Sequence, residues 1–149
     1  MSTILYAWEL GGGLGHVLRS LPLARKLAAR GHRVIAALRE LRRAGEMVDR
    51  RSATATSSRS DELPSAQVEF MPAPYLAWRI SDPIEPVRSY ADLLHNVGFA
   101  HVEDLRILTG AWRTIFDLAR PDVVLCDHNP TALLAASLDG IPCRICGRG

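Results

Sequence analysis

Short apolar runs alternate along the chain with longer segments in which apolar residues recur every three or four positions. Three runs are continuous and bounded by polar or glycine residues, the pattern of strands buried on both faces. They lie at residues 4–7, 34–38 and 123–126. Two weaker runs predict further strands, at 67–71 and 141–145. The segments with helical spacing lie at 17–30, 40–50, 87–97, 101–119 and 131–138.

Strands that alternate with helices predict an α/β fold, a Rossmann-like parallel sheet with helices on both faces. In the common strand order 3-2-1-4-5, the first and fourth strands are neighbours, and ligands bind outside their carboxyl ends. Residues 51–65 are rich in serine and predict a loop. Pro22 either kinks the first helix or delays its regular part to about Ser20. Tyr75 and Trp78 belong either to the core, which we favour, or to a pocket wall.

A glycine-rich turn follows the first strand and ends in a histidine. Four of the five residues at 11–15 are glycine, so the backbone can approach a ligand closely, and the helix start that follows offers free N–H groups. His16 comes next, and Asp127 follows the fourth strand at the same edge of the sheet. A histidine backed by a carboxylate is the usual general base near neutral pH. We therefore predict that His16 and Asp127 meet as a catalytic pair. The alternative for His16 is a structural residue that holds the turn, and the alternative for Asp127 is a cap on the following helix.

Composition narrows the possible partners. The chain has 149 residues, of which 48% are hydrophobic, enough for one domain with a substantial core. A net charge of +2 gives no reason to expect nucleic acid or an anionic membrane as a partner. The sequence shows no export signal and no apolar stretch of membrane-spanning length. We expect a cytoplasmic protein with no transmembrane segment.

Other patterns for binding phosphates, metals or nucleophiles fit poorly. Cys143 and Cys146 form a C-x-x-C, but a strand points such residues to opposite faces, so we expect reduced thiols and no metal site. The dinucleotide fingerprint needs a glycine where this chain has His16, and an acidic residue where the second strand ends at Arg39. The sequence also lacks the Gly-Lys-Ser/Thr of a P-loop and the G-x-S-x-G of serine hydrolases.

Two segments resemble the N-terminal domain of a GT-B fold glycosyltransferase. They are GGGLGHVLRSLPLARKLAARGHRV at 11–34 and PDVVLCDHNPTALLAASLDGIP at 121–142. The resemblance is to family 1 and its bacterial relatives that glycosylate macrolides and flavonoids, and more distantly to the N-acetylglucosaminyltransferase of peptidoglycan synthesis. It covers residues 3–40 and 120–147 well and the middle of the chain poorly. In this family, His16 falls at the position of the catalytic base and Asp127 at that of its supporting aspartate.

The resemblance implies an inverting sugar transfer from a nucleotide sugar to an acceptor hydroxyl, with no metal and no further cofactor. The co-substrate would be UDP- or dTDP-linked, and the acceptor a small molecule or a lipid-linked one. Residues 1–149 would form a single Rossmann-like acceptor-binding domain, and the C-terminal domain that binds the nucleotide sugar would be absent from them. We therefore expect a glycosyltransferase (hexosyltransferase) when complete, and no activity from this chain alone. The candidate substrate-binding residues are Gly12, Gly13, Gly15, Glu9, Arg19 and His128.

One departure from the family lies in the turn after His16. Many relatives have a proline three residues after the histidine, where this chain has Arg19, and Pro22 comes one turn later. Arg19 either contacts a phosphate or is a solvated side chain. The alternative function is a non-catalytic or split-enzyme subunit that needs a partner carrying the donor domain. A nucleotide-binding Rossmann domain of another kind is a third hypothesis.

Overall fold

A computed structural model describes residues 1–11, 15–42, 68–76 and 80–146. In this part of the chain, five parallel strands form one sheet in the order β3-β2-β1-β4-β5, as predicted. The strands are β1 (Thr3–Trp8), β2 (Arg33–Leu38), β3 (Val68–Pro72), β4 (Val123–Asp127) and β5 (Cys143–Ile145). The α-helices with both ends in the described residues are α1 (Gly15–Ala29), α2 (Tyr90–Leu94), α3 (Val102–Ala119) and α4 (Pro130–Leu138). The predicted α/β Rossmann-like fold class is therefore confirmed.

The central strand β1 separates two apolar layers. Leu5 and Ala7 face one side, where they join a core cluster that includes Trp112 of α3. Tyr6 and Trp8 face the other side and pack with residues of β2. Side chains of a strand alternate between faces, so one strand contributes to both layers. Among the described residues, no helix is long and apolar enough to cross a bilayer.

The first helix differs from the sequence prediction at its start. α1 begins at Gly15, ahead of the predicted Val17, and contains Pro22 within its length. A late start near Ser20 is therefore not observed. The helix ends at Ala29, before Gly31, close to the predicted end. The prediction of a helix over 40–50 falls almost wholly outside the described residues, and the predicted loop at 51–65 lies outside them entirely.

The predicted helix at 87–97 is only partly correct. α2 begins at Tyr90, because Ser89 and Asp92 form a reciprocal capping box at its start. After Leu94 the backbone widens into a turn at His95–Phe99 that is not helical at Val97 and Gly98. Gly98 has φ of +112°, and a Cβ there would lie 2.9 Å from Leu108 Cδ1. The close packing against α3 therefore requires glycine.

Two predicted core residues are exposed. Val102 belongs to the apolar face predicted for α3, but as its first residue it is 83% exposed, whereas Leu108 and Trp112 are buried. Tyr75 is 47% exposed, with the guanidinium carbon of Arg39 4.8 Å from its ring centroid. The prediction that Tyr75 belongs to the core is wrong; Trp78 lies outside the described residues. The fifth strand is also shorter than predicted, beginning at Cys143.

Candidate active site

His16 and Asp127 meet at the carboxyl ends of β1 and β4. His16 is the second residue of α1, and Asp127 is the last residue of β4, opposite Trp8 in the strand register. The distance between His16 Nδ1 and Asp127 Oδ1 is 2.9 Å. A carboxylate only accepts hydrogen bonds, so the neutral ring carries its proton on Nδ1 and its lone pair on Nε2. This is the protonation pattern that a general base requires.

A third side chain, Tyr6, completes this arrangement. Its hydroxyl donates a hydrogen bond of 2.7 Å to Asp127 Oδ2, the oxygen that His16 does not use. Tyr6 is 3% exposed, and this burial raises its pKa, so the hydroxyl stays protonated and can donate. Tyr6 was not among the predicted site residues. The sequence feature that could have identified it is the alternation of side chains between the two faces of β1, which places Tyr6 and Trp8 on the same face.

Trp8 lies against the face of the His16 ring, and Gly11 lies beside its Nε2. The Trp8 ring stacks on the imidazole, with centroids 5.8 Å apart and an angle of 20° between the planes. The Trp8 indole N–H donates to the Leu10 carbonyl oxygen at 2.6 Å, which holds the start of the turn. Gly11 has φ of +99°, and a Cβ there would lie 3.5 Å from His16 Nε2. Glycine at this position therefore leaves space beside the basic nitrogen.

Glu9 directly follows β1 and is buried, with 2% of its surface exposed. Its Oε1 accepts the backbone N–H of Thr131 at 2.9 Å, and its Oε2 accepts the Thr131 hydroxyl at 2.5 Å. Oε2 also accepts the indole N–H of Trp112 at 3.0 Å. Burial raises the pKa of Glu9, and these hydrogen bonds oppose the shift. Contact between Glu9 and a substrate stays a prediction; the structure shows that its carboxylate binds the first turn of α4.

The segment after β4 is tied to the turn after β1. The backbone N–H of Leu10 donates to the His128 carbonyl oxygen at 2.9 Å. His128 adopts φ of +49°, and its ring centroid lies 5.4 Å from that of His16. Asn129 precedes α4 without a side-chain cap, so Glu9 supplies an acceptor to the helix start instead. The predicted alternative of Asp127 as a helix cap finds no counterpart among these contacts.

One pocket includes Asp127 in its wall, and another lies beside Gly11. One, of about 730 Å³, is lined by Asp127 and His128 and by apolar side chains that include Leu94, Phe99, Leu133 and Leu134. The other, of about 390 Å³, is lined by Gly11, Arg39, Glu40 and Tyr75. The first is therefore mainly apolar, whereas the second is polar and includes two oppositely charged residues.

The other predicted site residues have less defined positions. Gly15 is the exposed first residue of α1, and a Cβ there would meet nothing within 4 Å. Arg19 is exposed on the same helix. Gly12 and Gly13 lie outside the described residues, so their predicted ligand contacts are untested. The structure thus brings His16, Asp127 and His128 together and leaves Arg19 on the surface.

The three cysteines are unpaired, as predicted. Cys126 is buried in β4, and burial raises the pKa of its thiol to about 12. A thiol with so high a pKa stays protonated near neutral pH and is a poor nucleophile.

No protein-family model matches the sequence, and no curated protein matches it. Solved structures do match the fold. The UGT73P12 structure from Glycyrrhiza uralensis, complexed with glycyrrhetinic acid 3-O-monoglucuronide, aligns with a TM-score of 0.55 and 21% identity over 99% of this chain and 28% of that chain. The calicheamicin glycosyltransferase CalG4 aligns with a TM-score of 0.51 and 22% identity, over 97% and 32% of the respective chains. The glycotransferase of kitacinnamycin aligns with a TM-score of 0.51 and 23% identity, over 95% and 29%.

These alignments cover nearly all of the present chain but less than a third of each of the other three. At 21–23% identity they establish the fold and not the activity. The chain therefore has the Rossmann-like fold present in part of these GT-B glycosyltransferase structures.

Proposed function

We propose that this chain is the acceptor-binding part of an inverting glycosyltransferase, with His16 as the general base. The observation that supports it most is the bond of 2.9 Å between His16 Nδ1 and Asp127 Oδ1 at the carboxyl ends of neighbouring strands. This is the place where open α/β sheets bind ligands. The fold that the chain shares with part of these glycosyltransferase structures is consistent with this proposal.

In the proposed reaction, His16 Nε2 removes the proton of an acceptor hydroxyl. The hydroxyl oxygen forms a bond to the anomeric carbon of the nucleotide sugar, while the bond from that carbon to the diphosphate oxygen breaks. The nucleoside diphosphate leaves with the electron pair of that bond. A single in-line displacement inverts the anomeric configuration. Asp127 keeps the imidazole oriented and stabilises the imidazolium that forms.

The acceptor we propose has a hydrophobic body. The pocket of about 730 Å³ beside Asp127 and His128 is lined mainly by apolar side chains, which suits an apolar small molecule or a lipid-linked acceptor. The nucleotide sugar, UDP- or dTDP-linked, would bind to a part of the protein beyond these 149 residues or to a partner polypeptide. The chain spans less than a third of the glycosyltransferase structures that it matches, which is consistent with either arrangement.

The decisive experiment replaces His16 in the full-length protein that contains these residues. Wild-type protein and His16→Ala are incubated with UDP- and dTDP-sugars and a panel of apolar hydroxyl acceptors, and product formation is followed by mass spectrometry. We expect His16→Ala to lose at least about a hundredfold in transfer rate, the usual contribution of a general base. His101→Ala is the matched control, because His101 lies away from the site. Its Nε2 is 3.2 Å from Asp82 Oδ1.

A His16→Ala rate within threefold of the wild-type rate would contradict the assignment of the base. The gene itself distinguishes the two arrangements for the donor. A reading frame that continues into a second α/β domain favours one polypeptide, and a neighbouring gene for a separate Rossmann-like protein favours a split enzyme.

A further inference from the structure

Tyr6 has a contact that packing alone does not explain. It is a buried residue of the central strand, yet its hydroxyl reaches across to β4 and donates to Asp127 Oδ2 at 2.7 Å. The other carboxylate oxygen, Oδ1, binds His16 Nδ1 at 2.9 Å. The two oxygens of one carboxylate are therefore assigned to two different donors. A chain of hydrogen bonds runs from Tyr6 through Asp127 to His16.

The burial of Asp127 and the hydrogen bonds to both of its oxygens fix the orientation of its carboxylate. The Asp127 side chain is only 7% exposed, so solvent has little access to its oxygens, and Oδ2 accepts the Tyr6 hydroxyl instead. A carboxylate held by one hydrogen bond can rotate about its Cβ–Cγ bond and exchange its oxygens, whereas one held at both oxygens cannot. Hydrogen bonds to charged acceptors are also stronger than those between neutral groups. The Tyr6 hydroxyl thus fixes which oxygen faces His16 and in which plane.

We propose that Tyr6 is a positioning residue whose hydroxyl locks the Asp127 carboxylate, so that His16 is held with its proton on Nδ1 and its lone pair on Nε2. Trp8 completes the constraint from the other side, because its ring stacks on the imidazole with centroids 5.8 Å apart. Tyr6 acts on Asp127 and Trp8 on the ring plane, and both project from the same face of β1. The catalytic consequence rests on the proposed function, but the effect on the His16 tautomer does not.

The tautomer can be measured directly on this chain. In ¹⁵N-labelled protein at about pH 8.5, where an ordinary imidazole is neutral, long-range ¹H–¹⁵N correlation spectra distinguish a protonated Nδ1 from a protonated Nε2. We expect His16 of the wild-type chain to be protonated on Nδ1 only, and the Tyr6 hydroxyl proton to exchange slowly enough to be observed. In Tyr6→Phe, which removes only the hydroxyl, a second population with the proton on Nε2 should appear.

The matched control is Leu5→Val. Leu5 is fully buried in the same strand but faces the opposite layer, away from Asp127. This variant destabilises the sheet without touching the hydrogen-bond chain, so its His16 tautomer should stay that of the wild type. Equal redistribution in Leu5→Val and Tyr6→Phe would show a general effect of β1 packing and would overturn the proposal, as would an unchanged tautomer in Tyr6→Phe. A rapidly exchanging Tyr6 hydroxyl in the wild-type chain would also contradict it, without any variant.

The kinetic test uses the full-length protein. We expect Tyr6→Phe to lower kcat about tenfold, equivalent to about 1.4 kcal/mol, while KM for the acceptor changes less than twofold. If Tyr6 has a purely structural role, folded Tyr6→Phe should have the same kcat as Leu5→Val. That result would overturn the proposed contribution of Tyr6 to catalysis. If Tyr6→Phe shifts the tautomer but the wild-type protein transfers no sugar, the positioning role stands and the proposed function fails.

Discussion

Replacement of Glu9 tests how the site is attached to the core. Glu9 accepts the backbone N–H and the hydroxyl of Thr131 and the indole N–H of Trp112, all in the interior. In Glu9→Ala the Thr131 N–H loses this acceptor at the start of α4, while the indole keeps the Thr131 hydroxyl oxygen at 3.0 Å. A buried donor left without an acceptor costs about 1–3 kcal/mol. The Thr131 hydroxyl proton loses its acceptor as well, and these two losses, partly offset by removal of a buried charge, give a total of about 3 kcal/mol.

Equilibrium urea unfolding followed by circular dichroism measures this loss. With an m-value of about 2 kcal/mol/M, 3 kcal/mol lowers the unfolding midpoint by about 1.5 M urea. The matched control is Glu69→Ala, which removes an exposed carboxylate paired with Arg33. Exposed ion pairs contribute about 0–1 kcal/mol, so its midpoint should move little. A Glu9→Ala midpoint no lower than that of Glu69→Ala would refute the reasoning.

Glu9→Gln removes the titratable carboxyl group. Its NH₂ group cannot accept the hydrogen bonds of the oxygen that it replaces, so the comparison uses only how the stability difference changes with pH. Burial raises the pKa of Glu9 above its ordinary value of 4.5, so between 4.5 and the folded pKa the folded state binds a proton that the unfolded state does not. Wild-type stability relative to Glu9→Gln is therefore greatest below about pH 4.5 and falls as the pH rises through the folded pKa. Each unit of raised pKa contributes about 1.4 kcal/mol to this difference. A difference that is flat or grows with pH would contradict a Glu9 pKa raised by burial.

The remaining predictions concern the pair and its turn. In Asp127→Asn, the Tyr6 hydroxyl should retain the amide oxygen and turn the NH₂ group toward His16, which places the ring proton on Nε2. The transfer rate of the full-length protein should then fall at least about a hundredfold, as for a base held in the wrong tautomer; a loss below tenfold would contradict this orientation. Gly11→Ala should cost about 1–2 kcal/mol through its φ of +99°. Thermal unfolding should register this as a fall in Tm of about 3–6 °C, and an unchanged Tm would exclude the strain.

The fold was predictable because its strands are buried on both faces. A continuous apolar run of five residues, such as 34–38, has the length of a buried strand and is too short for a typical buried helix. The alternation of strands with helices then limits the topology to a few arrangements. The same topology placed His16 and Asp127 at neighbouring strand ends, and their contact followed from the strand order alone. Exposure of Tyr75 was not predictable, because an aromatic residue between prolines carries no periodic signal.

The partners of the pair were harder to predict than the pair itself. Tyr6 was assigned to a strand, but its bond to Asp127 depends on which face each side chain occupies and on the register between β1 and β4. Glu9 was predicted only as a candidate substrate-binding residue. Its partners Trp112 and Thr131 are more than a hundred residues away in sequence, so only the packed structure brings them together.

From Leu5 to Glu9, every residue of the central segment is buried at 3% exposure or less. Even-numbered positions support the His16 and Asp127 pair, and odd-numbered positions join the core or anchor α4. A substitution at any position of this segment would therefore affect either the stability of the protein or the His16 and Asp127 pair. Divergence toward a new ligand has to occur elsewhere, at pocket-lining residues such as Leu133 and Leu134. Changes in ligand preference would then leave β1 and the chemistry that it supports intact.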